Sequence, residues 1–158
     1  LSWEDIKIFR KMWPGILMVK GINRPDDALR AVEHGCDGIV VSNHGGRNMD
    51  SAVASIDALP EVADAVGDKA TVLLDSGVRR GSDIAKALAL GAKGVLTGRA
   101  TLYGTSVGGQ AGAAKAIGVI RKEFDTTMVY CGCNTVEEIT PDILFAPRGA
   151  NSIASFAG

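Results

Sequence analysis

Four short apolar segments, ILMVK (16–20), GIVVSN (38–43), TVLLDSG (71–77) and GVLTGR (94–99), recur along the chain with helix-like stretches between them. Each is too short for a helix and rich in β-branched residues or leucine, the pattern of a parallel strand buried on both faces. Parallel neighbours need a crossover connection, and two of the intervening segments read clearly as helices. RPDDALRAVEHG has Pro25 in its first turn, Asp26 and Asp27 at the positive end of the helix dipole, Ala28 and Val32 four residues apart, and Gly35 as a stop. GSDIAKALALG repeats the plan, with Ser82 as cap, Ile84 and Leu88 on one face, and Gly91 as stop. AVEHGCDGIV (31–40) and ALALGAKGVL (87–96) share an alanine, two glycines and two aliphatic residues at identical spacing, so each helix returns to its strand through a similar turn. The predicted architecture is a succession of βα units.

Two arrangements of such units compete, an open doubly wound sheet and a closed barrel. No G-x-G-x-x-G follows any of the strands, which weakens the open, dinucleotide-binding form. Polar residues instead stand at the C-terminal end of every strand: Lys20, then Ser42 with His44 and Arg47, then Asp75 with Arg79, then Gly98 with Arg99. A barrel would bring those four ends to one mouth, where such folds place their chemistry. The barrel is the expected form.

VKGI (19–22), SNHGGR (42–47), DSGVRRGSD (75–83) and GRATLYG (98–104), in that order, closely resemble the FMN-dependent α-hydroxy acid oxidases and dehydrogenases. Glycolate oxidase, L-lactate dehydrogenase, mandelate dehydrogenase and flavocytochrome b2 are members. The resemblance runs through nearly all of the chain. It implies an α/β fold of the (β/α)8 TIM-barrel type, bound FMN, and oxidation of an (S)-2-hydroxy acid to a 2-keto acid. Within such a barrel these motifs belong to strands 5 to 8. Leu1 is not methionine, and residues 1–158 are read as the C-terminal half of a single FMN-binding barrel domain, with a tail from about residue 131.

The chemistry can also be read from the residues. Taking a proton from a hydroxyl, or from the carbon that bears it, calls for a base of near-neutral pKa, which imidazole supplies. His44 is the candidate base, beside substrate, because its glycine neighbours permit close approach and Arg47 lies three residues on. His34, in the last turn of a helix, suits the dipole and receives no catalytic role. Arg47 offers a planar fork for a substrate carboxylate; the competing reading is a surface ion pair with Asp50 or Asp57. Lys20 ends a buried strand, where an unpaired ammonium is costly, and is expected to meet an anion. The resemblance implies that this anion is the N1–C2 carbonyl region of the reduced flavin, with Ser42 a hydrogen-bonding neighbour of the ring.

DSGVRRGSD and GRA read as a phosphate site made of two adjacent turns. Backbone N–H groups in glycine turns and at a helix start can cradle an anion, and Arg79 and Arg99 add charge-assisted bonds. Cofactor contacts are accordingly assigned to Lys20, Ser42, Asp75, Ser76, Gly77, Val78, Arg79, Gly98 and Arg99. Asp75 is read as an acceptor, by resemblance for the ribityl hydroxyls. Spacing leaves Arg79 and Arg80 undecided, and the family pattern selects Arg79.

Composition bounds the partners. A formal charge of −1, from 17 basic and 18 acidic residues with no basic block, leaves no electrostatic footprint for nucleic acid. No apolar run approaches the roughly 20 residues that span a bilayer, and the chain is read as cytoplasmic, with membrane association undetermined because an anchoring region would lie outside it. Cys36, Cys131 and Cys133 are read as free thiols, with no second pair to complete a metal site. The expected partners are a small 2-hydroxy acid and, in the complete enzyme, further copies of the chain. Two other readings stand beside this one: another FMN barrel of the isopentenyl diphosphate isomerase or IMP-dehydrogenase type, which SNHGGR disfavours, and a non-catalytic half-barrel that self-associates. Elsewhere Ser2 is expected to cap the first helix, Trp3 and Trp13 to pack beside it, and Ile117, Ile120 and Phe124 to form a core stripe. Thr135 and Glu138 suggest a capping box, Pro141 the end of a turn, and ASFAG at the C-terminus offers no anchor.

Overall fold

β1 (Met18–Ile22), β2 (Gly38–Val41), β3 (Thr71–Leu74) and β4 (Gly94–Val95) pair as one parallel sheet in the order β1-β2-β3-β4. The computed structural model describes residues 2–145, so ASFAG lies outside the described residues. Helix α1 (Trp3–Met12) precedes the sheet, and α2 (Pro25–Glu33), α3 (Ser55–Val66) and α4 (Gly81–Ala89) are its crossovers. Every strand lies beside its successor. A doubly wound sheet reverses its order at a switch point; this sheet does not, and has the single winding of a barrel arc.

Register separates the two faces. Ile39 lies beside Val72 and Val41 beside Leu74, and all four are at most 2% exposed. They share one core with Ala28 and Ala31 of α2, Ala58, Leu59, Val62 and Val66 of α3, and Ala87 of α4. Burying each larger side chain contributes about 1.5–3 kcal/mol relative to exposure, while the alanines let the helices sit close. Because strand side chains alternate, Lys20, Val40, Leu73 and Gly94, which are also in register, form a layer on the opposite face. That face is the inner wall of the arc.

Several local expectations need correction. The first strand runs two residues further than expected, so Lys20 lies inside β1 rather than at its end. A register shift follows it, at Gly21 with φ 101°. Ser82 does not cap α4; the Asp83 carboxylate does, accepting the N–H groups of Arg79 at 3.0 Å and Arg80 at 2.9 Å. The last helix, α5 (Arg99–Tyr130), is broken at Gly108 and Gly109, the latter in left-handed geometry. Its two parts fold back so that Gly104 and Gly112 meet main chain to main chain. Of the expected stripe, Ile120 is buried and Phe124 packs beneath α4, but Ile117 is 56% exposed. Trp13 is exposed as well, whereas Trp3 packs on the core. Thr135 makes no side-chain cap, and Glu138 accepts instead from the Asn134 N–H at 2.6 Å. Pro141 opens a 3₁₀ turn rather than ending one.

Other expectations match. Ser2 precedes α1, with its N–H and hydroxyl both donating to Asp5, and Pro25 is the first residue of α2. Gly35 and Gly91 leave their helices with φ of 90° and 101°. All three cysteines are unpaired. Among the described residues no helix is long and apolar enough to cross a membrane.

Among the described residues β1 and β4 each have a strand neighbour on one side only. Large apolar residues are exposed near both ends of the arc: Phe9, Met12 and Ile16 beside β1, and Leu96, Leu102 and Tyr103 beside β4. Open edges and uncovered apolar surface favour pairing with further chain. The 158-residue chain expressed alone is therefore expected to sediment as dimers or larger species, and a cooperative folded monomer in analytical ultracentrifugation would contradict this.

Candidate active site

The strand ends meet in one hydrogen-bonded cluster centred on Ser42, which is 1% exposed. Its hydroxyl donates to Asp75 Oδ1 at 2.9 Å, and accepts from Lys20 Nζ at 3.0 Å and from the His44 N–H at 3.1 Å. One proton and two lone pairs are thereby used. Ser42, expected as a hydrogen-bonding neighbour of the flavin, also organises the residues around it. Lys20 does meet an anion, the Asp75 carboxylate at 3.3 Å, a partner that spacing alone did not reveal. Burial pushes the Asp75 carboxyl up, but hydrogen bonds from Ser76, Ser42 and Lys20, with the Lys20 charge, outweigh this and hold it below the usual carboxylate range.

SNHGGR forms a tight turn. His44, Gly45 and Gly46 have φ of 57°, 69° and 72°, a left-handed run that glycine accepts and histidine resists. Asn43 braces it: its side chain accepts from the Gly46 N–H at 3.1 Å and donates to the Val53 carbonyl at 3.1 Å, while its own N–H donates to Ser55 Oγ at 2.9 Å. Sequence reasoning gave no role to Asn43 or Ser55. An asparagine entering a Gly-Gly turn was the available signal for the first; nothing local marked the second, twelve residues on. The bulge at Gly21 makes room for the imidazole, since a β-carbon there would lie 3.1 Å from His44 Cε1.

The two histidines sit in different surroundings. His34 is largely covered, with Nδ1 2.7 Å from the Arg30 carbonyl and its ring against Trp3. The exposed His44 ring has no hydrogen-bond partner among the described residues.

The arginines divide similarly. Arg10, Arg24 and Arg80 pair with Asp37, Asp26 and Glu123. Arg47, Arg79 and Arg99, beyond the strand ends, have no carboxylate partner among the described residues. The competing ion pairs for Arg47 do not form. Arg80 is drawn toward α5 by Glu123, and Arg79 is left as the free guanidinium of the pair. Arg99 donates to the Gly45 carbonyl, tying the turn after β4 to the turn after β2. Ser76 and Gly77 have φ of 81° and 80°, and the N–H groups of Ser76, Gly77 and Val78 find no acceptor among the described residues. A β-carbon on Gly77 or Gly98 would meet nothing within 4 Å. Unpaired guanidinium groups, free N–H donors and open glycines suit a phosphate.

The family model for FMN-dependent dehydrogenases matches residues 1–146. The chain belongs to that family. An L-lactate oxidase of Nostoc sp. is 52% identical over 144 residues, covering 91% of this chain and 40% of that protein. A pre-mycofactocin synthase of Mycobacterium tuberculosis is 48% identical over 148 residues, covering 94% of this chain and 37% of that one. The crystal structure of a monotopic membrane protein, (S)-mandelate dehydrogenase, superposes with a TM-score of 0.90 at 41% identity, over 93% of this chain and 39% of its own. The chain spans about 40% of the length of the relatives it matches. Membership makes FMN the cofactor and the four strands part of a (β/α)8 barrel. The donor set passes the same test: a mononucleotide needs cations and N–H groups for its phosphate and an acceptor for its hydroxyls, and the turns after β3 and β4 supply them.

Proposed function

We propose that the chain carries the catalytic and FMN-binding residues of an enzyme that oxidises an (S)-2-hydroxy acid to a 2-keto acid. The observation that carries this reading is the pairing of a free imidazole with a free guanidinium on one turn. Bound FMN supplies the two-electron acceptor. His44 takes the proton from the substrate's hydroxyl, or from its α-carbon. Arg47 holds the carboxylate through its fork and so fixes which carbon faces the acceptor. Lys20 stabilises negative charge at the flavin's pyrimidine edge. Its pairing with Asp75 keeps it in place meanwhile. Asp75 is the acceptor for ribityl hydroxyls, and Ser76, Gly77, Val78, Arg79, Gly98 and Arg99 surround the phosphate. The relatives' names support a hydroxy acid as substrate, lactate in one and mandelate in another. A membrane-associated relative makes peripheral attachment compatible with this chemistry.

The direct test is anaerobic addition of (S)-lactate and (S)-mandelate to the yellow flavin-loaded protein. Bleaching by an (S)-2-hydroxy acid but not by its deoxy analogue is expected; a flavin that no 2-hydroxy acid reduces would sink the reading. The phosphate assignment is checked separately. Arg99→Ala removes a charged hydrogen-bond donor worth about 1.5–3 kcal/mol, so FMN affinity should fall about 10- to 100-fold; because Arg99 also braces the His44 turn through the Gly45 carbonyl, excess FMN should restore binding without fully restoring reduction. Unchanged affinity in a flavin titration would take Arg99 out of the phosphate site.

A further inference from the structure

The turn that presents His44 is held in a conformation its own backbone disfavours, and the groups that hold it come from three strand ends: Ser42 after β2, Ser76 after β3 and Arg99 after β4. The Gly45 N–H donates to Ser76 Oγ at 2.9 Å, and the Gly45 carbonyl accepts from Arg99. One residue earlier the His44 N–H donates to Ser42 Oγ. Both serine hydroxyls pass their protons to the same atom, Asp75 Oδ1, at 2.9 Å from Ser42 and 2.7 Å from Ser76. One carboxylate oxygen thus orients two hydroxyls, and these grip two consecutive peptides of the left-handed run. Ser76 is itself left-handed, with φ 81°. Glycine would adopt that geometry without strain, and the two hydrogen bonds are what a serine hydroxyl adds there.

We infer that Ser76 is a positioning residue for the reaction, whose Asp75-oriented hydroxyl fixes the Gly45 peptide and thereby aims the His44 imidazole. This rests on the reading of His44 as the base. It gives Ser76 a task besides lining the cofactor's turn. It also makes Asp75 the point through which the turn after β3 sets the geometry of the turn after β2.

Ser76→Gly is the decisive variant, since glycine fits the backbone and only the hydroxyl is lost. Ser76→Ala, which loses the hydroxyl and keeps the strain, accompanies it. In the flavin-loaded protein both are expected to speed hydrogen exchange at the Gly45 amide about tenfold or more. Flavin reduction by substrate should slow by about tenfold or more, while a non-reacting carboxylate inhibitor binds within about twofold of its normal affinity. Combined with His44→Ala, Ser76→Gly should add little to the loss His44→Ala causes alone, because Ser76 acts through that imidazole. Normal Gly45 exchange, normal reduction in Ser76→Gly, or fully additive losses in the double variant would each overturn the proposal. If His44→Ala alone reduces flavin normally, the base assignment has failed, and the Gly45 exchange rate then judges the hydroxyl's grip by itself.

Discussion

His44→Ala is expected to slow flavin reduction by at least the roughly 10²–10⁴-fold typical of lost acid-base catalysis, while FMN and a substrate-like carboxylate inhibitor still bind. The ring makes no hydrogen bond among the described residues, so its removal leaves no protein partner stranded. The backbone already carries a β-carbon at φ 57°, which alanine keeps, and the main-chain bonds to Ser42 and Ser76 survive. The fold should be indifferent and the rate should not be. Stopped-flow bleaching gives the rate and inhibitor titration the binding. Near-normal reduction in this variant would make SNHGGR a structural turn.

Arg47→Lys separates charge from shape. The substitution keeps a cation next to the catalytic turn but loses the planar fork that can hold both carboxylate oxygens. Misplacing a substrate by about 1 Å can cost about 10²-fold in rate, and the lost bond weakens binding as well. Inhibitor affinity and reduction rate should therefore fall together, in contrast to His44→Ala. Since Arg47 pairs with no carboxylate among the described residues, the loss would not come from a broken ion pair of the protein. An inhibitor that binds Arg47→Lys as tightly as the parent would remove Arg47 from the substrate site.

Legibility in the sequence followed the range of the physics involved. Apolar runs and helix stops are local, and they located all four strands and the exits of α2 and α4. Strand ends were less legible because a run such as TVLLDSG passes from ladder to turn without a break in composition, although β3 itself ends at Leu74. Lys20 was taken for a terminal residue because a bulge at the following glycine leaves no mark in periodicity. Ser82 and Asp83 both suit a helix start, and only the direction of the Arg79 and Arg80 N–H groups chooses between them. Ile117 kept its helical spacing yet remains exposed, since spacing places a residue on a face without saying whether anything covers that face. The motif residues were recognisable one by one. Their connections, from Ser42 to Asp75 and from Arg99 to Gly45, join positions 33 and 54 residues apart, and no local pattern contains them.

The start of α4 lies directly on the main chain of α5. A β-carbon at Gly81 would collide with the backbone of Glu123 and Phe124, and the Glu123 carboxylate takes the Gly81 N–H at 3.0 Å. The proposed anion-binding turn, residues 76 to 79, ends two positions before that contact. Its backing is the C-terminal part of α5, more than twenty residues along the helix from Arg99, the residue of α5 proposed to touch the phosphate. The order in which the molecule comes apart follows from this. A protease nick in the middle of α5 would loosen the turn first, so the protein would bleach by losing its flavin while the strands were still paired.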